Sequence, residues 1–459
     1  ASAVIAGLAV GSALFGRLAD RVRAPGVLLA WVVAATGIGS LLVVCILPSL
    51  AGWAPSIVTG AGMGFSLAQV ATWGAAFVVL LLCTPFLGGV LPLAARVWTP
   101  EGGSAGLAMG AVLASNSAGS IVGPFLTAWV LHDRLGIHGS LLAASLGYLV
   151  LALGCLLHAR RGVPLWAGAP LLVAVGLLAW SRLAGWPPWT LLRAPYLHPR
   201  VSRPADAEAV SPLARRMPRA AGLAYVEEGH TAVVSVEVNE IDRCTLSVNG
   251  KADASNHPED MQTQILLAHL PALALGPRAG RLRALVIGLG SGITVGSLLA
   301  WGDVEVDCVE ISPEVARAAG RYFGPENHGA VGDPRVRVIF DDGRTFMACT
   351  DRQYDVIVSE PSNAWFEGLS DLFSVEFHQL CRRRLRPGGV FAQWVHAYLL
   401  PPATFRSLLG SFQAAHPRTS LWETVPGLDY VLLSDMEPRA MSEAVRAAWG
   451  IEPVRRDLE

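Results

Sequence analysis

Apolar residues fill the first 183 positions almost without a break. A helix that crosses a bilayer needs about 20 consecutive apolar residues. Runs of that kind lie at 27–47, 67–97, 105–131, 140–157 and 163–183, and residues 1–16 read as the end of another. The 67–97 run is long and holds Pro85 and Pro92, which predict a kink or an extension past the bilayer. In GLAMGAVLASNSAGSIVG (106–123) small residues recur at the spacing that lets membrane helices approach closely. Asn116 and Ser120 stand one turn apart there and suit interhelical hydrogen bonds or a substrate path. No cluster of acidic or basic residues marks these runs as an ion-coupled transporter.

The pattern changes after a Pro-, Ala- and Arg-rich stretch at 184–220, which reads as a linker. TAVVSVEV and CTLSVNGKA alternate with period two and predict strands, the Asn249–Gly250 pair making a tight turn. HPEDMQTQILLAHLPALAL predicts a helix with acids in its first turn. Strand and helix patterns then alternate. ALVIGLG (284–290), VEVDCVEI (304–311), VRVIFDD, YDVIVSE and GGVFAQWV are near-continuous apolar strands, with helical segments such as PEVARAAGRYF and FSVEFHQLCRRRL between them. Such strands predict a parallel sheet covered on both faces. The chain therefore divides into a transmembrane helical region (1–183), a linker (184–220), a small β-domain with its connecting helix (221–276), an α/β Rossmann-like domain (277–440) and a tail (441–459).

Composition sharpens this division. Charged residues make up 15% of the 459 residues, against about 25% in an ordinary soluble protein, and they concentrate after position 183. A net charge of −1 gives no sign of a nucleic-acid partner. The basic residues are almost all arginine, with Lys251 the one lysine. Seven scattered cysteines without a CxxC pair predict neither a metal site nor a disulfide framework, and Cys308 and Cys381 fall on apolar faces. Arg17, Arg21 and Arg23 form one positive loop, and Arg160 and Arg161 another, which places both in the cytoplasm. If 163–183 spans, the second half lies outside; if that segment is interfacial, it stays inside. The chain opens inside an apolar run and without Met, so residues are expected before it.

Ligands bind parallel sheets beyond the carboxyl ends of the strands. The residues suited to chemistry cluster there. Gly288, Gly290, Ser291 and Gly292 follow the first strand, Glu310 ends the second, and Asp342 and Gly343 end the third. Glu360 to Asn363 end the fourth, and Gln393, Trp394 and His396 end the fifth. Glycines let the backbone approach a ligand and open the next helix. An acid about 20 residues on can hold two ribose hydroxyls, and an Asp after the third strand can accept from an adenine amino group. GLGSG does not fit the dinucleotide GxGxxG pattern and no second glycine run follows it. An adenosine-bearing sulfonium, S-adenosylmethionine or its decarboxylated form, fits better.

These residues carry a resemblance. QILLAHLP (264–271), VIGLGSG (286–292), VEIS (309–312), DPRVRVIFDDGRTF (333–346), YDVIVSEPSN (354–363), EFHQLCRRRLRPGGVFAQWVH (376–396) and YVLLS (430–434) resemble the spermidine synthase (polyamine aminopropyltransferase) family. Its fold is a small β-domain followed by a methyltransferase-type Rossmann domain. GLAVGSALFGRLADR (7–21) and ASNSAGSIVG (114–123) look like bacterial proteins that fuse a transporter-like membrane region to such a domain. The resemblance implies a multi-pass protein of the bacterial inner membrane. It also implies decarboxylated S-adenosylmethionine or S-adenosylmethionine as co-substrate without a metal, a small-molecule amine as acceptor, the lipid bilayer as partner, and pairing into a homodimer. Gln264 matches a cofactor-contacting residue, Glu310 the ribose acid, and Asp342 and Gly343 the adenine-contacting pair.

Four positions depart. Ser291 stands where the family has an Asp near the cofactor's amino group. Thr263 stands where a Tyr lines the diamine pocket. Glu360 and Asn363 replace an Asp-x-x-Asp whose first member accepts the proton. Glu360 is the expected base, with Asn363 and Thr263 beside the acceptor, but the pocket is expected to lack two negative charges. Three readings are open: an aminopropyltransferase acting on an amine such as putrescine, or a transferase onto another acceptor; a polyamine transporter or sensor with a nucleoside-binding regulator; and a non-catalytic assembly part. Trp365 and Phe366 suit a lid over the site or packing on the sheet rim. His396 suits a strand cap or the cleft rim.

Overall fold

The fold was analysed in a computed structural model. It describes residues 2–60, 65–99, 104–159, 174–178, 186, 222–239, 241, 243–276, 280–366, 368–398, 400–434 and 444–459. Most of the 163–183 run and of the 184–220 linker lies outside the described residues. The chain forms two compact units, Ala1–Met217 and Pro218–Glu459.

The first unit is helical: α1 (Ser2–Ala19), α2 (Pro25–Gly60), α3 (Phe65–Leu80), α4 (Thr84–Trp98), α5 (Ala105–Leu126) and α6 (Asp133–His158). Among the described residues four stretches are long and apolar enough to cross a membrane: Ser2–Ala19, Pro25–Ser49, Trp73–Trp98 and Gly106–His158. The 67–97 run breaks at a turn over 81–83, and Pro85 enters the first turn of α4, where its missing N–H costs nothing. Residues 105–157, read as two spans, form α5 and α6 joined by a π-helical turn (Thr127–His132), with non-helical backbone at Gly136. Close approach does occur between α1 and α4. A methyl on Gly11 meets the Pro85 carbonyl oxygen at 1.8 Å, and Ser12 Oγ donates to the Gly88 carbonyl at 2.8 Å. The small-residue run of α5 behaves differently from its sequence reading. Gly110, Gly119 and Gly123 have no neighbour within 4 Å, and Asn116 and Ser120 are exposed. The buried faces of this unit are those of α2 with α6 and of α1 with α4, which leave α5 uncovered among the described helices.

The second unit begins with an antiparallel meander, β1 (Gly222–Glu228), β2 (Val233–Val238), β3 (Cys244–Val248) and β4 (Lys251–Ser255), paired in chain order. Asn249 (φ 50°) and Gly250 (φ 77°) turn β3 into β4 with the left-handed backbone that Asn-Gly favours. Helix α7 (Pro258–Leu275) leads into a seven-stranded sheet. Its strands are β5 (Leu282–Ile287), β6 (Val304–Glu310), β7 (Val336–Phe340), β8 (Tyr354–Ser359), β9 (Leu385–His396), β10 (Thr419–Val425) and β11 (Asp429–Ser434), in the spatial order β10-β11-β9-β8-β5-β6-β7. The five strands expected to be parallel are parallel. The sheet as a whole is mixed, because β11 lies antiparallel to both β9 and β10. The three residues between β10 and β11 permit only a hairpin. Between the strands run α8 (Ile293–Leu299), α9 (Pro313–Tyr322), α10 (Gly343–Cys349), α11 (Val375–Arg384) and α12 (Pro402–Ala415), and α13 (Glu452–Leu458) follows β11.

Alternation along the strands makes two cores. Val286, Val306, Val356, Val358 and Ala392 pack against α7, α8 and α9 on one face. Leu285, Ile357, Phe391 and Val395 pack against Phe377, Cys381 and Phe412 on the other. Cys308 and Cys381 are fully buried in these layers.

Helix α13 is held by one carboxylate. Asp457 lies 2.9 Å from His269 Nε2 on α7 and 3.0 Å from His328 Nε2. Burial pushes its pKa up, but the hydrogen bonds from His269 and His328 outweigh this and hold it well below the usual carboxylate range. Its contribution is present above the unfolded pKa, near 4, and is lost as pH falls through the lower folded value. Asp457→Ala is expected to cost about 3 kcal/mol at pH 7. The loss should shrink on acidification, read from urea unfolding midpoints at pH 7 and below pH 4.

Candidate active site

The strand order reverses at β5, which pairs with β6 on one side and β8 on the other. A cleft opens beyond the carboxyl ends at such a switch point, and the expected residues arrive there from four strands and α7. Gly288, Gly290 and Gly292 all have positive φ (94°, 53° and 81°), so the loop after β5 needs the left-handed backbone that glycine adopts freely. A methyl on Gly288 would meet the Glu360 carbonyl oxygen at 2.4 Å, so the loops after β5 and β8 touch through backbone.

Glu310 is buried and organises the loop after β5. Its Oε2 accepts from Leu289 N and its Oε1 from Ser312 N, both at 2.9 Å. Burial raises its pKa, and the backbone bonds oppose that rise. Three backbone N–H groups act on this carboxylate, which fixes the glycine loop and leaves about one acceptor position for a ligand hydroxyl. Asp342 is exposed and caps α10 by accepting from Thr345 N at 2.8 Å; Gly343 is buried, with no room for a side chain beside Ile287.

Gln264 and Ser291 meet each other. The Ser291 hydroxyl donates to Gln264 Oε1, and Gln264 Nε2 donates to the Ser255 carbonyl at 3.0 Å. Both side chains are buried, and they brace the glycine loop against α7. Thr263 is not turned to the acceptor side. Its hydroxyl pairs with Thr424 Oγ1 of β10 at 2.9 Å, so it belongs to the contact between α7 and the sheet edge.

Glu360 is half-buried, and its Oε2 accepts from Thr294 Oγ1 at 2.6 Å. Burial pushes its pKa up to about 8; the Thr294 bond opposes the shift, and the Asp260 and Asp253 carboxylates add to it. A carboxyl so placed exchanges its proton near neutral pH, as a general base must. Those two aspartates also correct the charge expected from sequence. Ser291 and Asn363 do lack charge, but Asp253 and Asp260 bring two carboxylates close enough to act on Glu360.

Asn363 is fully buried. The Tyr398 hydroxyl faces its amide, yet neither Oδ1 nor Nδ2 reaches a partner at hydrogen-bonding geometry among the described residues. His396 is buried with Nδ1 3.0 Å from the Tyr398 carbonyl oxygen, and Gln393 Nε2 donates to the Trp394 carbonyl at 3.2 Å. Trp365 and Phe366 stack on each other with ring centroids 4.5 Å apart.

Lys251, Asp253, Ser362 and Thr294 were not singled out from sequence. Lys251 Nζ donates to Asp253 Oδ1 at 2.9 Å and to Ser362 Oγ at 3.2 Å. The one lysine, placed directly after the Asn-Gly turn, was the available signal. Among the described residues no group of three or more His, Cys, Asp or Glu is arranged to hold a metal ion.

Residues 261–430 match the Spermine/spermidine synthase domain family. A polyamine aminopropyltransferase of Corynebacterium efficiens is 34% identical over 168 residues, which is 35% of this chain and 31% of that protein. Polyamine aminopropyltransferase 1 of Pseudomonas aeruginosa is 37% identical over 126 residues, 27% of this chain and 43% of that protein. The chain thus spans less than half the length of these curated relatives. The crystal structure of spermidine synthase from Thermotoga maritima is similar at 21% identity and a TM-score of 0.41, over 47% of this chain and 74% of that one.

Proposed function

We propose, from the premise that residues 261–430 are a spermine/spermidine synthase domain, that the chain is a membrane-anchored transferase. It moves the aminopropyl group of decarboxylated S-adenosylmethionine to an amine. The observation that carries this reading is Glu360, a carboxyl raised to about 8 at the switch point and touching the glycine loop through its own carbonyl.

Glu310 would hold the ribose, Asp342 and Gly343 the adenine edge, and the loop braced by Ser291 and Gln264 the sulfonium end. When bound, the co-substrate supplies a carbon activated by positive sulfur. Glu360 accepts the proton that the amine nitrogen loses as its lone pair forms the new C–N bond. The C–S bond breaks with its electrons going to sulfur, and methylthioadenosine leaves. Positioning carries much of the rate in such a displacement. The apolar helices Ser2–Ala19, Pro25–Ser49, Trp73–Trp98 and Gly106–His158 would anchor the chain in a bacterial inner membrane.

Calorimetric titration of the detergent-solubilised protein tests the reading. Decarboxylated S-adenosylmethionine is expected to bind at least about tenfold more tightly than S-adenosylmethionine, with methylthioadenosine also bound. Preference for S-adenosylmethionine would redirect the assignment to methyl or another transfer. Absence of binding by all three would remove the nucleoside site.

A further inference from the structure

The acceptor side of the cleft contains a cation of its own, whose role in acceptor choice presupposes the transferase function proposed for the site. Lys251 enters β4 from the Asn-Gly turn with 3% of its surface exposed. Its ammonium, Asp253 Oδ1 and the Ser362 hydroxyl form a closed triangle: lysine donates to both, and Ser362 Oγ donates to the same aspartate oxygen. A buried ammonium is costly unless paired. A purely structural reading makes this triangle a pin between β4 and the loop after β8. Such a pin accounts for the lysine and aspartate but leaves the polar atoms beside it unexplained.

Asn363, next to Ser362 in the chain, is fully buried with both amide atoms unpartnered among the described residues. His396 is fully buried with Nε2 unpartnered. Because its Nδ1 faces the Tyr398 carbonyl, which can only accept, Nδ1 carries the proton and Nε2 is a lone pair. The register of β8 and β9 sets Ser359 beside Gln393, so Ser362 and His396 each stand three residues past the same rung. Buried polar groups in folded proteins are nearly always satisfied. One ammonium bonded to Ser362, the neighbouring Asn363 amide and an imidazole lone pair on which that ammonium acts are the elements of a recognition set.

We infer that Lys251 determines acceptor specificity, and that the amine selected carries a carboxylate at its far end and not a second ammonium. The ammonium's third N–H and Asn363 Nδ2 can donate to two carboxylate oxygens, while His396 Nε2 and Asn363 Oδ1 accept from N–H. A second ammonium would meet Lys251 as a like charge and find Asp253 already engaged. Asp260, the carboxylate that acts most strongly on Glu360, accepts from Ser255 Oγ at 2.6 Å.

Two probes with the same four-carbon spacing test this: 4-aminobutyrate and putrescine, each assayed with decarboxylated S-adenosylmethionine by methylthioadenosine release from the full chain in detergent. The expected result is a kcat/KM for 4-aminobutyrate about tenfold or more above that for putrescine. In Lys251→Met the order should reverse, and in Lys251→Arg it should persist. If Lys251→Met does not fold, the wild-type ratio decides alone. Preference for putrescine in the wild type, or equal losses for both probes in Lys251→Met, overturns the inference. If neither probe is turned over, the transferase reading fails, and calorimetry with methylthioadenosine present decides this one separately. Binding of 4-aminobutyrate but not putrescine supports the recognition set; equal or absent binding of the two overturns it.

Discussion

Glu360→Gln is expected to lower transfer by about a thousandfold, within the range of 10²–10⁴ for loss of a general base, while nucleoside affinity changes less than about twofold. The amide keeps the shape of the carboxyl and can still meet Thr294, but it cannot take a proton. Single-turnover release of methylthioadenosine, paired with calorimetry, separates the two effects. Turnover near the wild-type rate would assign the base elsewhere. The pH dependence carries the same signature. With the folded pKa near 8, kcat/KM should rise through that region. Thr294→Val, which removes the hydrogen bond opposing the shift, should move the rise to higher pH. Stability moves in the opposite sense. Burial raises the folded pKa above the unfolded value, so the favourable contribution of the protonated carboxyl is complete below about pH 4 and is lost as pH climbs through about 8. Glu360→Gln escapes that loss, so its unfolding midpoint should exceed that of the wild type by a margin that grows from about pH 4 to about pH 8.

Gly288→Ala is expected to cost about 2–4 kcal/mol of stability and to weaken nucleoside binding by about a hundredfold or more. The residue has φ +94°, and an added methyl would sit 2.4 Å from the Glu360 carbonyl oxygen and 3.1 Å from its carbon. Backbone cannot swing aside as a side chain does, so the loops after β5 and β8 must separate. Gly302→Ala is the matched control. Its φ is +93°, but an added methyl finds nothing within 4 Å. It should cost only the conformational part, about 1 kcal/mol, and leave binding unchanged. Similar losses in the two variants, read from urea titrations, would mean that the contact between the loops contributes nothing.

The α/β layout was legible because its signals are local. Apolar strands, helix caps and glycine turns each declare themselves within a few positions, and β5 to β9 follow that reading. The antiparallel β10–β11 edge was less legible, since YVLLS reads as a strand without stating its direction. Glu310 was legible for the same local reason: an acid ending a strand about 20 residues after a glycine loop. The partner of Thr263 was not legible, because position along a helix does not say which neighbour a buried hydroxyl meets, and it meets Thr424, 161 residues away. Lys251 escaped notice because its partner Ser362 is 111 residues distant and because a scarce lysine looks like base composition. The charge count of the pocket erred likewise, since it was drawn from the loop after β8 alone, while Asp253 and Asp260 come from the other end of the unit. The uncovered run on α5 marks the same limit, because small residues permit a close neighbour without supplying one.

The hairpin of β3 and β4 has a consequence for how the proposed acceptor choice could change. Most residues proposed to hold the transferred group and the nucleoside lie at strand ends of the seven-stranded sheet, whereas Lys251 and Asp253 ride on a short β-ribbon encoded as one uninterrupted stretch. On that proposal, acceptor choice would change through substitutions confined to that stretch and leave the strand-end residues of the sheet in place. Grafting an alternative ribbon between Cys244 and Ser255 is accordingly the smallest recombination that could give the scaffold a new amine.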